Sequence, residues 1–217
     1  MLRKLFLVLI GSGAQILAGQ AGAASADELH SIAQKWASAR YEARGDEREA
    51  KLGEVMKSAD EFSSKHPEQA LGHLWAGVVR CSLAEVGGKI AALGLVKECR
   101  TKLEQSLAID PGAEEGYAYG VLGTLYAKVP GWPVAFGDKK KADEILLKGV
   151  TVAPNGMNTN YFYAKFLYDK GDIERARQYC ARALTAVAPY PPEQSLPVAI
   201  RQREIRELDE KLKAATP

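Results

Sequence analysis

The chain has 217 residues, 26% of them charged, and sets 29 basic against 27 acidic side chains for a formal net charge of +2. Such a balance lacks the basic excess that nucleic-acid binding requires, and the length suits one domain with a continuous core. Beyond residue 26 no apolar stretch approaches the roughly 20 residues of a membrane-spanning helix, so no stable insertion of the mature chain is expected.

The first 26 residues read as a targeting segment. Arg3-Lys4 precedes the apolar run Leu5 to Ile10, a weaker apolar stretch follows to Ala18, and Ala24-Ser25-Ala26 stands before Asp27. A positive start, a short apolar core and small residues at alternate positions describe a secretory signal peptide, with cleavage expected after Ala26. Gly11, Ser12, Gly13 and Gln15 interrupt the apolar run and argue against a membrane anchor. Removing Arg3 and Lys4 leaves 27 basic and 27 acidic residues in the mature chain. A periplasmic or secreted protein is expected.

The mature part, 27–217, reads as one α-helical domain. In the first hairpin, 27–67, Leu29, Ile32, Ala33 and Trp36 share one helical face and Leu52, Val55, Met56 and Ala59 another, either side of Arg44-Gly45-Asp46. The second, 69–111, centres on Gly87-Gly88, with Ala76 and Cys99 as the small residues where two helices would cross, and ends at Pro111. The third, 114–154, pairs Gly123 with Ala142 and ends at Pro154; its turn holds the insertion Val129 to Phe136, whose prolines and glycine cannot continue a helix. The fourth, 157–189, pairs Ala164 with Ala176 about Lys170-Gly171 and ends at Pro189. Last, Val198, Ile205, Leu208 and Leu212 form an apolar stripe over 197–214, as in a helix that caps a stack.

Tyr163-Ala164, Leu167, Gly171-Asp172, Ala176, Cys180, Ala183 and Pro189 fall at the offsets of a unit of about 34 residues, and in this the chain resembles the tetratricopeptide repeat (TPR) family. The resemblance implies an all-α fold: a right-handed superhelical stack of about four TPR-like hairpins plus the capping helix. It further implies that the first helix of each hairpin lines a concave binding face. Carried onto this chain, that face holds His73, Arg80, Tyr117, Thr124, Asn158, Tyr161, Lys165 and Tyr168, while Tyr119, Tyr126, Tyr163 and Phe166 fall at core positions. The face is aromatic, hydrogen-bonding and mildly positive, suited to a peptide segment or a small organic anion. Trp132 and Phe136 make the inserted loop a candidate interface, although packing onto the hairpin is the favoured expectation.

Chemistry is sparse. Gly87-Gly88-Lys89 lacks the earlier glycine and the following Ser or Thr of a phosphate loop, and reads as a turn. His30, His66 and His73 have no partner at metal-ligand spacing, no G-x-S-x-G nucleophile occurs, and no catalytic residue, metal or cofactor is expected. With Cys99 level with Ala76, Cys81 stands about 7 Å too far along the helix for a disulfide, so all three cysteines are expected as buried thiols.

Val129-Pro-Gly-Trp-Pro133, Phe136-Gly-Asp-Lys139, Ala142, Leu146-Leu147, Ala153-Pro-Asn155 and the run Tyr161 to Leu167 resemble the exported helical-repeat proteins grouped with the T-component of tripartite ATP-independent periplasmic (TRAP) transporters. That resemblance implies self-association as trimers and a solute-binding protein or transporter subunit as partner. The chain departs from the group in its first hairpin and in lacking a lipid-attachment cysteine. The two functions in view are a non-enzymatic scaffold or adaptor for a protein or peptide, and an accessory to solute uptake.

Overall fold

The computed structural model of the protein describes residues 11–188, 191 and 195–215. Arg3, Lys4, the Leu5 to Ile10 run and Pro189 lie outside them. Among the described residues the chain is helical with no strand: α1 (Gly11–Tyr41), α2 (Gly45–Lys65), α3 (Ala70–Val86), α4 (Lys89–Ile109), α5 (Ala113–Lys128), α6 (Lys139–Val152), α7 (Met157–Asp169), α8 (Ile173–Thr185) and α9 (Leu196–Ala214).

Consecutive helices form four hairpins. The first helices α1, α3, α5 and α7 pack on one another in series, whereas α2, α4 and α6 touch only first helices, their own and the next. A row packed along one side and splayed along the other must curve, which puts the first helices on the inside. The expected stack of helical hairpins is the architecture found. Local sequence explains the ends: Asp138 starts α6 by accepting from the backbone N–H of Lys140 at 2.8 Å and of Lys141 at 3.0 Å, and Asp172 does the same for Arg175 at α8. Gly171 turns between α7 and α8 at φ +83, where a Cβ would be strained.

Small residues set the depth of each crossing. Ala164 and Ala176 are fully buried in the fourth hairpin, and in the third a Cβ on Gly123 would collide with Leu146 and lie 3.3 Å from the Ala142 carbonyl. In the second hairpin the equivalent residue is Gly77, not Ala76: a Cβ there would stand 2.9 Å from Leu103 and 3.3 Å from the Cys99 carbonyl. The residue of α4 level with Gly77 is Leu103, four after Cys99, and this change of register overturns the cysteine expectation. Cys81 lies one turn after Gly77 and Cys99 one turn before Leu103, so in an antiparallel pair the two come level. They form a disulfide with Cα atoms 5.5 Å apart. Cys180 remains a buried free thiol.

Apolar packing falls into two clusters, one across α1 to α5 joined by Ile145 of α6, and one across α6 to α9. Trp36, Trp75, Phe62 and Tyr117 belong to the first, Tyr163, Phe166 and Leu167 to the second. The last helix serves both. Val198, Ile205, Leu208 and Leu212 seat in the second cluster as the stripe predicts, but Ile200 is buried in the first, and the Leu196 N–H donates to Gln34 Oε1 on α1 at 2.9 Å. Each buried side chain of this size contributes about 1.5–3 kcal/mol. Thus α9 does more than cap the last hairpin: it crosses the curve and meets the first helix.

Candidate functional site

Crossing the concave face places Arg201 of α9 at its centre. The side chain is buried, with Nε donating to Asn158 Oδ1 at 2.8 Å and a terminal nitrogen to Glu204 Oε2 at 2.6 Å. Tyr161 and Phe162 flank the guanidinium at 4.4 Å and 4.5 Å from their ring centres, and Tyr117 lies at 5.9 Å. Glu204 also accepts from the Tyr41 hydroxyl at 3.1 Å, which ties α9 to α1. Burial opposes the charge on Arg201, yet Tyr117, Glu204, Tyr161 and Tyr41 outweigh it and hold the guanidinium protonated. Burial pushes the hydroxyls of Tyr117 and Tyr161 up to about 12. This is a closed charge network, satisfied within the protein.

On one side of Arg201 lies a chamber of about 410 Å³ between α1, α3, α5, α7 and α9. Its walls carry Trp36, Trp75, Tyr41 and Tyr117, with Trp36 and Trp75 centred 5.4 Å apart and Trp75 and Tyr117 6.1 Å apart. The Trp36 indole N–H is satisfied by Ser82 Oγ at 2.8 Å, which fixes the ring across α1 and α3. Glu114 enters the chamber from an unusual backbone. Glu114, Glu115 and Gly116 have φ of 46, 54 and 72, so the chain makes a left-handed turn before regular α5 geometry begins at Tyr117. For non-glycine residues this costs about 1–2 kcal/mol each. Glu115 offsets part of the cost by accepting from the Met157 N–H at 3.3 Å, at the start of α7. Burial, with Glu115 adding to it, pushes the Glu114 carboxyl up to about 7 despite a hydrogen bond from Trp75. No cation pairs with Glu114 among the described residues.

On the other side a groove of about 560 Å³ runs along α1, α3, α5 and α7 to the start of the inserted loop. Basic side chains predominate along it. Arg40 pairs with Glu85 at 2.5 Å, Lys165 with Asp169 at 2.5 Å and Lys170 with Asp143 at 2.8 Å. Lys128 and Lys139 also line it and have no ion pair among the described residues. Apolar area comes from Val78, Val121, Phe162 and Phe166.

The predicted concave residues divide accordingly. Tyr117 borders both cavities, Asn158 the chamber, and Thr124, Tyr161 and Lys165 the groove. Tyr168 lies outside both, beside Lys165, whose ammonium is 5.9 Å from its ring centre. His73 and Arg80 also lie outside both and are buried. His73 Nε2 bonds to the Pro67 carbonyl at 2.9 Å and secures the turn before α3. Arg80 grips both oxygens of Asp60 on α2, at 2.7 Å and 2.9 Å, and Glu98 on α4 at 2.9 Å, so it clamps neighbouring helices. In the inserted loop the favoured packing expectation holds for Phe136, which lies 5.1 Å from Tyr126 and beneath Arg100, but not for Trp132, which is 90% exposed. The rigid prolines around Trp132 hold it off the hairpin. Among the described residues no cluster of His, Cys, Asp and Glu could hold a metal ion.

Sequence reasoning missed Arg201, Glu204, Glu114 and the pairing of Trp36 with Trp75. One signal was available: Arg201 sits three residues after Val198 and four before Ile205, inside the apolar stripe. A charge on a buried face must find partners, and this one does.

No protein-family model matches the chain, and no curated protein does. Among solved structures the chain is similar to one titled "MamA RS-1 ArsTM double mutant", at 14% identity and a TM-score of 0.40, over 77% of this chain and 90% of that one.

Proposed function

We propose that this protein is an exported, non-enzymatic TPR-like scaffold that takes an acidic peptide segment of a partner protein into the groove beside α9. The observation that carries the reading is the groove itself: about 560 Å³, apolar along its floor, with Lys128 and Lys139 at one end and unpaired among the described residues. An extended segment with acidic side chains would pair those ammonium groups and cover Phe162 and Phe166. Export after cleavage at Ala26 to the periplasm or beyond is supported by the signal-like N-terminus and by the Cys81–Cys99 disulfide, which persists in oxidising compartments. Among the described residues no helix is long and apolar enough to cross a membrane.

In-cell crosslinking from a photoreactive residue placed at Thr124, which lines the groove, tests this. Capture of a protein through an acidic segment, abolished by Lys128→Glu with Lys139→Glu, is the expected outcome; capture unchanged by charge reversal, or none, contradicts it. Recovery of a solute-binding protein or transporter subunit would specify a T-component-like role in solute uptake. Recovery of other copies of the chain would specify a homo-oligomer. The small organic anion considered for such a role fits the basic groove and not the chamber, where the Glu114 carboxyl opposes it.

A further inference from the structure

We infer that the chamber on the far side of Arg201 is a binding site for an organic ammonium ion. This does not depend on the peptide reading, which concerns the other cavity. At about 410 Å³ the chamber is of a size that holds a compact small molecule. Its aromatic walls, Trp36, Trp75, Tyr41 and Tyr117, come from three separate helices, and aromatic faces attract cations most strongly where water is excluded.

The charged groups around it favour the same class of ligand. Facing the chamber are His30 from α1, Glu114 from α5, and Arg201 and Glu204 from α9; α3 contributes Trp75 and α7 contributes Asn158. Arg201 and Glu204 neutralise one another at 2.6 Å, so the one ionisable carboxyl left in the chamber without a counter-charge among the described residues is that of Glu114. That carboxyl is half-buried, shares the chamber wall with the Trp75 indole and has no cation paired with it among the described residues. Three residues of left-handed backbone hold it there, where a right-handed start to α5 would carry the side chain elsewhere. An ammonium group entering between the rings would supply the missing charge and displace the proton that burial favours on Glu114. The protein already contains a version of this arrangement, since the Arg201 guanidinium sits among Tyr117, Tyr161 and Phe162.

The test is calorimetric titration of the purified mature protein, residues 27–217, which lacks Ser25 and Ala26 of the chamber rim, with choline and with benzylamine, each beside its uncharged counterpart: the carbon isostere of choline, and benzyl alcohol. At least one cation should bind in the micromolar-to-millimolar range, at least about tenfold tighter than its neutral counterpart. Glu114→Gln should weaken it by about tenfold or more while the melting temperature is maintained or raised. No binding by either cation, equal binding of cation and neutral counterpart, or undiminished binding by Glu114→Gln would overturn the proposal. The comparison of cation with neutral counterpart is made on the unaltered protein and stands even if the variant folds poorly. Loss of peptide capture in the groove with ammonium binding intact would fail the scaffold reading alone.

Discussion

The two cavities beside α9 share Trp36, Tyr41, Tyr117, Arg201 and Glu204, yet they differ in character. Among the described residues the chamber is walled by aromatic rings around one uncompensated carboxyl, and the groove is edged by lysines, two of them unpaired. Neither character belongs to a single repeat. Each cavity draws on several hairpins, and the boundary between them is supplied by α9. A concave face can therefore be given two unlike recognition surfaces by laying one helix across it, provided the charge it brings is fully paired.

The largest effect is expected from removing that boundary. Arg201→Ala removes a buried guanidinium, leaves the half-buried Glu204 without its cation and Asn158 Oδ1 without its donor, and should cost about 3–5 kcal/mol in chemical denaturation. A loss below about 1 kcal/mol would mean that α9 is held by its apolar stripe alone. Next comes the groove wall, which includes Cys81. Replacing Cys81 and Cys99 by Ser opens a loop of sequence separation 18 and should cost about 2–4 kcal/mol, with peptide capture impaired before ammonium binding.

The chamber side predicts a pH effect. The Glu114 carboxyl is raised from 4.5 to about 7 in the folded protein. Its contribution to stability is fully present below the unfolded value and is lost as pH rises through about 7. Relative to Glu114→Gln, the unaltered protein should therefore lose up to about 3 kcal/mol between pH 4 and 8. Parallel stability–pH curves for the two proteins would place Glu114 in water instead. The smallest effect belongs to the groove rim: Lys128→Glu with Lys139→Glu should change stability by no more than about 0.5 kcal/mol while abolishing peptide capture.

The hairpins were legible because Gly, Pro and small residues punctuate them at regular offsets, and the tyrosines at core positions pack as expected. The register of the second hairpin was not, since Ala76 and Gly77 are both small and adjacent. Only the approach of Leu103 to Gly77 decides between them, and with it the disulfide. Five of the eight predicted concave residues border a cavity, because periodicity identifies the inner face of a helix. Periodicity could not show that Arg80 turns instead to Asp60 and Glu98, whose positions depend on how the hairpins stack. Glu114-Glu115-Gly116 after Pro111 reads as an ordinary helix start, and its left-handed turn is imposed by tertiary contacts with α7. The return of α9 to α1 left its one trace in the charge at position 201.

Hydrogen exchange along α9 is the most direct test of the central claim, that this helix lies across the concave face and divides it. The amides of 196–205 should exchange as slowly as those of 206–214, and Arg201→Ala should release the first segment together with the α1 amides around Gln34. Fast exchange over 196–205 in the unaltered protein would show a helix anchored only on the last hairpin and a concave face left undivided.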